Sequence, residues 1–352
     1  MSVEISTVAQ DEDGMRLDRW FKRRKPALTL AHLNKLVRTG QVRIDGARAK
    51  TSTRVTSGQQ IRVPPLRPEA AAAPAIVRHE ASPGDRKAIE AMILFEDRDL
   101  LVLNKPYGLA VQGGSGTRQH VDGMLASLAD VGGQRPLLVH RLDRDTAGVL
   151  LVARNRKSAA DLGEIFRSRQ ARKIYWALVE GVPKPAQGRI SLFLAKGEAM
   201  GEARGPTRSG DRAAAERVRV ARHGEENAQH SVTLYATVDR VPPRLTWLSM
   251  RPITGRTHQL RAHAEAIGHP IVGDPKYGSA ADAGAPRPDP TRAVPSEVEP
   301  KLHLLARRLV LPHPRGGTVD ATAPLPPHMQ KSWDLFGFDV KQFDPIEDAP
   351  DA

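Results

Sequence analysis

A charged segment between two apolar runs is the place in this sequence where residue types and spacing could do chemistry. The apolar runs Leu137–Val139 and Val149–Val152 predict buried strands, and the loop between them contains Asp143, with Arg141 and Arg144 close by. Cationic neighbours favour the charged form of a carboxyl group, and a loop held by a rigid sheet presents a side chain in a fixed position. A carboxylate placed in this way can act as a nucleophile or base. The same pattern also fits a structural ion-pair turn.

The composition limits the chemistry and the partners that are open to the chain. It has 352 residues, with 53 Lys and Arg against 40 Asp and Glu, and its formal charge of +13 favours a polyanionic partner, nucleic acid before an anionic membrane surface. The absence of Cys excludes disulfides, cysteine-ligated metal centres and a cysteine nucleophile. The sequence shows no export signal and no membrane span, so we expect a cytoplasmic protein without a membrane partner.

Positive charge is concentrated near the N-terminus, in a block that also has the pattern of a folded module. Residues 16–54 contain twelve basic residues against two acidic ones. Helical spacing of apolar residues predicts helices around Leu17–Phe21 and Leu30–Val37, and alternation predicts short strands at Val42–Ile44 and Gln60–Val63. A small module with a phosphate-binding surface is therefore predicted, although a basic block can also be a solvated face.

The remaining sequence mixes strand and helix patterns without a repeating order. This predicts a mixed α/β domain of the α+β class with a largely antiparallel sheet. Stretches rich in Pro, Gly and Ala are interpreted as linkers or loops. The predicted organisation is a basic module at 14–65, a linker at 66–85, a main domain at 86–331 with irregular insertions at 183–230 and 279–300, and a solvated acidic tail at 332–352.

The segment His140–Gly148 resembles the signature of the RluA-type pseudouridine synthases, His-Arg-Leu-Asp-x-x-Thr-Ser-Gly. The resemblance puts Asp143 at the position of the catalytic aspartate of that family. The segment departs from the signature at Ala147, where the family usually has Ser. Loss of this small hydroxyl should alter local hydrogen bonding more than the chemistry.

Three further segments match the family in its order. Asn104–Gly108 is similar to the first motif, Arg172–Gly181 resembles the strand with the active-site tyrosine, and Thr254–Asp274 is similar to the third motif. The basic block is similar to the small αL-type RNA-binding domain of ribosomal-protein S-four type that many of these enzymes carry. The resemblance covers about residues 14–65 and 90–330.

The resemblance implies an enzyme that isomerises uridine to pseudouridine in RNA without a metal or other cofactor. It implies that Asp143 is the nucleophile or base, that Arg261 positions it and that Tyr175 contacts the target base. Members with this module commonly act on ribosomal RNA, so the expected partner is large-subunit ribosomal RNA or the assembling subunit, bound by a monomer. The residues expected to bind RNA are Arg141, Arg256, His258, Lys22, Arg23, Arg24, Lys35, Arg38 and Arg43.

Three alternatives stay open at this point. The substrate could be transfer RNA, or the chain could be a non-catalytic RNA-binding factor of ribosome assembly. A glycosidase would need two carboxyl groups beside the scissile bond, and Asp145 is a candidate for the second. A formal charge of +13 is a poor match for neutral sugars, so this alternative ranks lowest.

Deletion of residues 1–65 tests the basic module. Its phosphate contacts would release counterions, so the module should add affinity that depends on salt. We expect the truncated protein to bind long folded RNA more weakly, with a smaller slope of log affinity against log salt concentration, and still to modify a short substrate at high concentration. An unchanged affinity and slope in the folded truncated protein would mean that this charge is only a solvated surface.

Overall fold

The computed structural model of the chain describes residues 3–26, 28–66, 82–113, 119–131, 133–197, 217–278 and 293–350. The chain divides into two units, residues 1–78 and residues 79–352. No helix within the described ranges is long and apolar enough to cross a membrane.

The N-terminal unit contains the helices and strands that its apolar pattern predicts. Its sheet is antiparallel throughout and has the order β1 (Glu4–Thr7), β4 (Gln60–Val63), β2 (Arg43–Ile44) and β3 (Ala47–Arg48). The first strand was not predicted from the sequence. The elements are β1 Glu4–Thr7, α1 Leu17–Arg24, α2 Leu30–Arg38, β2 Arg43–Ile44, β3 Ala47–Arg48 and β4 Gln60–Val63.

One hydrophobic core joins the helices and the sheet of this unit. Trp20 lies at its centre, and its indole N–H donates to the buried carboxylate of Glu12 at 2.9 Å. Arg24 donates two further hydrogen bonds to Glu12 and so lowers the pKa of that carboxyl group to about 2. Leu30, which was predicted to belong to the apolar stripe of α2, is 59% exposed, so the buried stripe begins at Leu33.

The second unit is built on one large sheet with helices on both faces. The first half of its elements are α3 Pro83–Glu90, β5 Ile93–Glu96, β6 Leu100–Lys105, α4 Val121–Met124, β7 Leu137–Leu138, β8 Ala147–Ala153, α5 Arg156–Arg167 and β9 Arg172–Glu180. The second half are β10 Gln187–Lys196, β11 Val218–Ala221, β12 Gln229–Val241, β13 Leu245–Pro252, α6 Gln259–Ala266, β14 Leu304–Pro312, β15 Thr318–Thr322 and α7 Pro327–Phe336.

The sheet of this unit has eleven strands in the order β11-β10-β12-β13-β9-β14-β8-β6-β5, with β15 paired to β14 and β7 paired to β8. Its pairings are antiparallel except for the short contact between β14 and β8. The prediction of a mixed α/β fold with a largely antiparallel sheet is confirmed.

Strand β8 has no polar side chain, and β6 is apolar at its first four positions, because both faces of the sheet are covered here. Side chains alternate across a strand, so Leu100 and Val102 enter the core that contains residues of α5 and α7. Leu101 and Leu103 enter the opposite core, which contains residues of α3 and α4. Burial on both faces fixes β8, and β8 in turn fixes the end of the charged loop that precedes it.

The contact between β14 and β8 requires a glycine at position 148. Gly148 has a φ of +108°, and a Cβ at this position would lie 2.2 Å from the carbonyl oxygen of Ala306. The last residue of the His140–Gly148 segment is therefore needed for the strand pairing. This pairing places the charged loop beside β14.

Two predictions of irregular structure are wrong in part. The predicted insertion at 183–230 contains β10 and β11, since alternation of inward and outward residues in Gln187–Lys196 lets that stretch extend the sheet. Residues 83–85 of the predicted linker form the first turn of α3, where Ser82 and Asp85 cap the helix reciprocally. Residues 67–81 and 279–292 lie outside the described residues.

The prediction of a solvated C-terminal tail is also wrong, because this segment packs against the sheet. Trp333 stacks edge to face on Trp247 of β13, with 5.3 Å between the ring centroids. The buried carboxylate of Asp344 accepts hydrogen bonds from the indole N–H of Trp176 and the hydroxyl of Ser249, both at 2.7 Å. Apolar anchors and a satisfied buried acid thus outweigh the acidic composition of the segment.

The role of Asp344 can be tested by unfolding in urea. Asp344→Ala removes the acceptor of two buried donors, so we expect a loss of about 2–4 kcal/mol in the free energy of unfolding. Asp348→Ala is the matched control, an exposed acid in the same segment, and should stay within about 0.5 kcal/mol of the wild type. Equal losses in the two variants would contradict a buried anchor at Asp344.

Candidate active site

A cleft of about 500 Å³ opens in the second unit, at the charged loop before β8. The residues 140–146, the segment 166–175 and the loop 252–261 contribute most of its lining. The structure therefore brings together the predicted site residues of this unit. These are Asp143, Tyr175, Arg261, Arg141, Arg256 and His258.

Two side chains, the half-buried His140 and the fully buried Lys105, anchor the charged loop. The Nε2 atom of His140 accepts the backbone N–H of Leu151 at 2.8 Å, and burial lowers the pKa of His140 to about 3, which keeps this nitrogen free to accept. The Nζ atom of Lys105 donates to three carbonyl oxygens, including that of Arg144 at 2.9 Å. Burial lowers the pKa of Lys105 to about 7, against the opposing effect of two nearby carboxylates. These bonds anchor the loop on both sides of Asp143.

The carboxylate of Asp143 lies at the cleft with 21% of its side chain exposed. Its Oδ2 atom is 3.4 Å from Nη1 of Arg261 and 3.7 Å from Nε2 of His258. Both contacts reach the same oxygen. One carboxylate oxygen is thus oriented by cationic or N–H groups while the side chain stays open to the cleft.

Arg261 is held rigidly by a second aspartate. Its Nε and Nη2 atoms donate to Asp274 at 2.7 and 2.6 Å, and the side chain of Asp274 is fully buried. The guanidinium also lies over the ring of Tyr277, with Cζ 5.0 Å from the centroid. Two of its three nitrogens are therefore fixed by Asp274, and the third, Nη1, faces Asp143.

Tyr175 lines the cleft from β9 and packs against two of the hydrophobic cores. Burial raises the pKa of Tyr175 well above its usual range, and the charge of Asp143 adds to this effect. The phenol is accordingly protonated at neutral pH. It can donate a proton or a hydrogen bond and can stack on a base, but it is not a general base at that pH.

The first turn of α6, which carries Arg261, is tied to the sheet by Gln259. This buried side chain accepts from the hydroxyl of Thr254 at 2.7 Å and donates to the carbonyl of Val232 at 2.9 Å. The predicted helix Thr257–Ile267 is shorter, because His258 has a φ of +52° and α6 begins at Gln259. The local sequence gave no role to Gln259, Lys105, Asp274 or Tyr277, since their contacts cross between elements.

The cationic residues at the cleft differ in exposure. Arg141 and Arg256 are exposed at its rim, whereas the side chain of His258 is only 9% exposed. His263, on α6, is fully buried and bonded to Ser231, so it is unsuited to contact a phosphate. Three further cations line the cleft and were not singled out from the sequence. They are Arg167, Arg169 and Lys173.

The predicted phosphate-binding residues of the N-terminal unit fall into two groups. Lys22, Lys35 and Arg38 are exposed. The other three have partners within the unit: Arg23 pairs with Asp11, Arg24 pairs with Glu12, and Arg43 donates to the carbonyl oxygens of Gly40 and Gly46. Acidic residues that precede the basic block thus neutralise part of its charge.

One group of side chains in the described residues has the composition of a metal site. It consists of Asp97, Asp99 and His313, which lie apart from the cleft lining. Asp99 is paired with Arg315, and Asp97 contacts His313 at 2.9 Å. Ion pairs account for the cluster, so it carries no metal assignment.

Comparison with known proteins gives one family from both the sequence and the fold. The profile of the RNA pseudouridylate synthase family matches residues 99–266, and the profile of the S4 domain matches residues 15–61. The ribosomal large subunit pseudouridine synthase C of Haemophilus influenzae is 36% identical over 79% of this chain and 80% of its own length. The mitochondrial RNA pseudouridine synthase 4 of Arabidopsis thaliana is 32% identical over 93% of this chain and 80% of its own length.

Among solved structures, the human RNA pseudouridylate synthase domain containing 4 superimposes with a TM-score of 0.57 at 28% identity. It covers 73% of this chain and 98% of its own. The chain therefore belongs to the RNA pseudouridine synthase family. It is an RNA uridine isomerase with an S4 domain near its N-terminus.

Substitution of Arg261 by Lys tests the fixed guanidinium. Lys carries the charge but cannot bond Asp274 through a fork and face Asp143 at once. We expect kcat for pseudouridine formation to fall about 100-fold with KM within a few-fold, because a displacement of about 1 Å in a reacting group costs that much. Arg308→Lys is the control. Arg308, in β14, also donates two hydrogen bonds to one aspartate, Asp320, but it lies outside the cleft lining. Equal kcat values for the two variants would show that any cation suffices at position 261.

Proposed function

We propose that Asp143 is the reacting group of this isomerase and that its substrate is large-subunit ribosomal RNA. The observation that supports the chemistry best is the placement of the Asp143 carboxylate, between Arg261 and His258 in a cleft lined by cations. The choice of substrate is supported by the similarity to the ribosomal large subunit pseudouridine synthases C of Haemophilus influenzae and Escherichia coli.

The reaction rearranges one nucleotide without adding or removing atoms overall. The bond between N1 of uracil and C1′ of the ribose breaks, the base turns, and C5 bonds to C1′. The hydrogen on C5 leaves to solvent, and N1 takes up a proton. Asp143 acts in this sequence as the nucleophile at the ribose or the pyrimidine, or as the base that removes a ribose proton. No redox or group-transfer cofactor is required for any of these routes.

The two carboxylate oxygens of Asp143 have different roles in this proposal: Oδ2 is held by the protein, and Oδ1 faces the substrate. Arg261 and His258 both approach Oδ2. Within the described part of the chain, Oδ1 is then the oxygen left for the nucleotide. Tyr175, which is protonated, lies in the same cleft as the aromatic contact or proton donor for the turning base.

Entry of the uridine requires that the base leave its stack. Unstacking costs a few kcal/mol, which phosphate contacts can offset. The rim of the cleft offers Arg141, Arg167, Arg169 and Arg256 for such contacts. We assign the exposed Lys22, Lys35 and Arg38 of the N-terminal unit to sequence-independent phosphate binding. Base selection then falls to the cleft and to the shape of the RNA.

We further propose that the enzyme acts as a cytoplasmic monomer on ribosomal RNA during subunit assembly. Size-exclusion chromatography with light scattering tests the monomer. Mapping of pseudouridines in total RNA from a deletion strain tests the substrate: sites lost from large-subunit RNA support it, and a loss confined to transfer RNA contradicts it.

The role of Asp143 is tested by tritium release from RNA labelled at C5 of uridine. Asp143→Asn keeps the shape of the side chain and removes the carboxylate, so we expect release to fall by about 1,000-fold or more, the range of a lost general base or nucleophile. RNA affinity should stay within a few-fold. The neighbouring Asp145→Asn serves as the matched control and should release tritium at a rate near that of the wild type. Full turnover by Asp143→Asn would remove this residue from the mechanism.

A further inference from the structure

We propose that Tyr277 is a positioning residue of the active site, which sets the tautomer of His258 so that its Nε2–H faces the carboxylate of Asp143. The proposal rests on the proposed role of Asp143. Tyr277 is 1% exposed and lies outside the cleft lining, so it acts through His258 and is not expected to touch RNA.

The directions of two hydrogen bonds carry the argument. The backbone N–H of Val218 donates to the hydroxyl oxygen of Tyr277 at 2.7 Å. An amide N–H can only donate, so it occupies a lone pair of that oxygen. The other hydrogen-bond partner of this hydroxyl among the described residues is Nδ1 of His258, at 3.0 Å. If Nδ1 also donated to this oxygen, the buried hydroxyl hydrogen would have no acceptor among the described residues, which is costly. The hydroxyl hydrogen therefore goes to Nδ1, and the neutral imidazole carries its own hydrogen on Nε2.

This tautomer puts an N–H donor on the side of the reacting group. Nε2 of His258 is 3.7 Å from Oδ2 of Asp143, which is longer than a hydrogen bond and within the range that tightens when a substrate enters. The opposite tautomer would present a lone pair to the carboxylate and repel it. His258 thus supplements Arg261 as a second donor to the same oxygen.

Burial is the main cause that keeps the ring of His258 neutral, and the nearby charges act in both directions. Burial lowers the pKa of His258, the carboxylates of Asp143 and Asp274 raise it, and the cations Arg261 and Lys276 lower it, with a lowered pKa as the outcome. The hydroxyl of Tyr277 acts in the same direction, because a hydrogen bond donated to Nδ1 stabilises the unprotonated nitrogen. A protonated His258 would add a second full positive charge beside Oδ2 and make the carboxylate less reactive.

The ring of Tyr277 makes separate contacts with two arginines, and the test variant must keep these contacts. Its face lies under the guanidinium groups of Arg261 and Arg217, at 5.0 and 5.4 Å from their Cζ atoms. Tyr277→Phe keeps this ring and removes only the hydroxyl. Tyr235→Phe is the matched control, since Tyr235 is also buried and its hydroxyl donates to the carbonyl of Pro185 in another part of the sheet.

The first measurement reads the tautomer directly and does not depend on activity. Nitrogen NMR of protein labelled with ¹⁵N-histidine distinguishes a protonated Nε2 from a protonated Nδ1, and loss of a signal in His258→Gln assigns the residue. We expect the Nε2–H form in the wild type and in Tyr235→Phe, and a mixture of tautomers in Tyr277→Phe. An Nδ1–H form in the wild type, or an unchanged ring in Tyr277→Phe, overturns the proposal.

The second measurement is the pH profile of kcat, from tritium release. In Tyr277→Phe we expect kcat to fall about 3- to 10-fold, the rate equivalent of one hydrogen bond, with KM within about twofold. The acidic limb of the profile should move to higher pH, because His258 without the donor on Nδ1 takes up a proton more readily. Tyr235→Phe should keep both kcat and the acidic limb.

A third variant separates positioning from a merely structural role. His258→Gln offers an N–H near the place of Nε2–H but does not titrate, so Tyr277→Phe should cost little further activity in that background. Two results would contradict the proposal: an equal loss from Tyr277→Phe in the wild type and in His258→Gln, or a loss without movement of the acidic limb. Either would mean that the hydroxyl serves only as the hydrogen-bond acceptor of the Val218 N–H. If the wild type releases no tritium, the proposed function fails, while the NMR result still decides the tautomer.

Discussion

The pairing of Arg261 with the buried Asp274 is the constraint on which the active site depends. A guanidinium is planar, so a carboxylate that bonds two of its nitrogens leaves a single orientation for the third nitrogen. In this chain the third nitrogen, Nη1, lies 3.4 Å from Oδ2 of Asp143. Asp274 also accepts the backbone N–H groups of Lys276 and Tyr277, so the turn after α6 and the arginine on α6 are locked together.

The other side of the site is fixed by the sheet. Gly148 allows β14 to approach β8, and burial of β8 on both faces holds the end of the charged loop. Lys105, at the end of β6, bonds the carbonyl of Arg144 and so ties the loop to the adjacent strand. The reacting carboxylate is thereby carried by one rigid element and its arginine by another, which is the arrangement that positioning of a reactive group requires.

The helices, most of the strands and the position of the charged loop could be predicted from the sequence, because such elements have local residue patterns. The helical spacing in Leu30–Val37, the apolar run Val149–Val152 and the segment His140–Gly148 are each recognised within one short stretch of the chain. Contacts between distant segments leave no such pattern: Asp143 and Arg261 are 118 residues apart, and only the family resemblance paired them. The same limit explains the error over the acidic tail, where Asp344 meets Trp176. It also explains why the ion pairs of Arg23 and Arg24 within the N-terminal unit were not predicted.

A double-mutant cycle on the rate of pseudouridine formation tests the central claim most directly. If Asp274 acts through Arg261, then Asp274→Asn should lower kcat, and adding it to Arg261→Lys should lower kcat by no more than about twofold further, because contacting residues of one network are not additive. Thermal melting of each variant confirms that the compared proteins are folded. Losses that multiply in the double variant would contradict the account, since Asp274 and Arg261 would then contribute to the reaction independently.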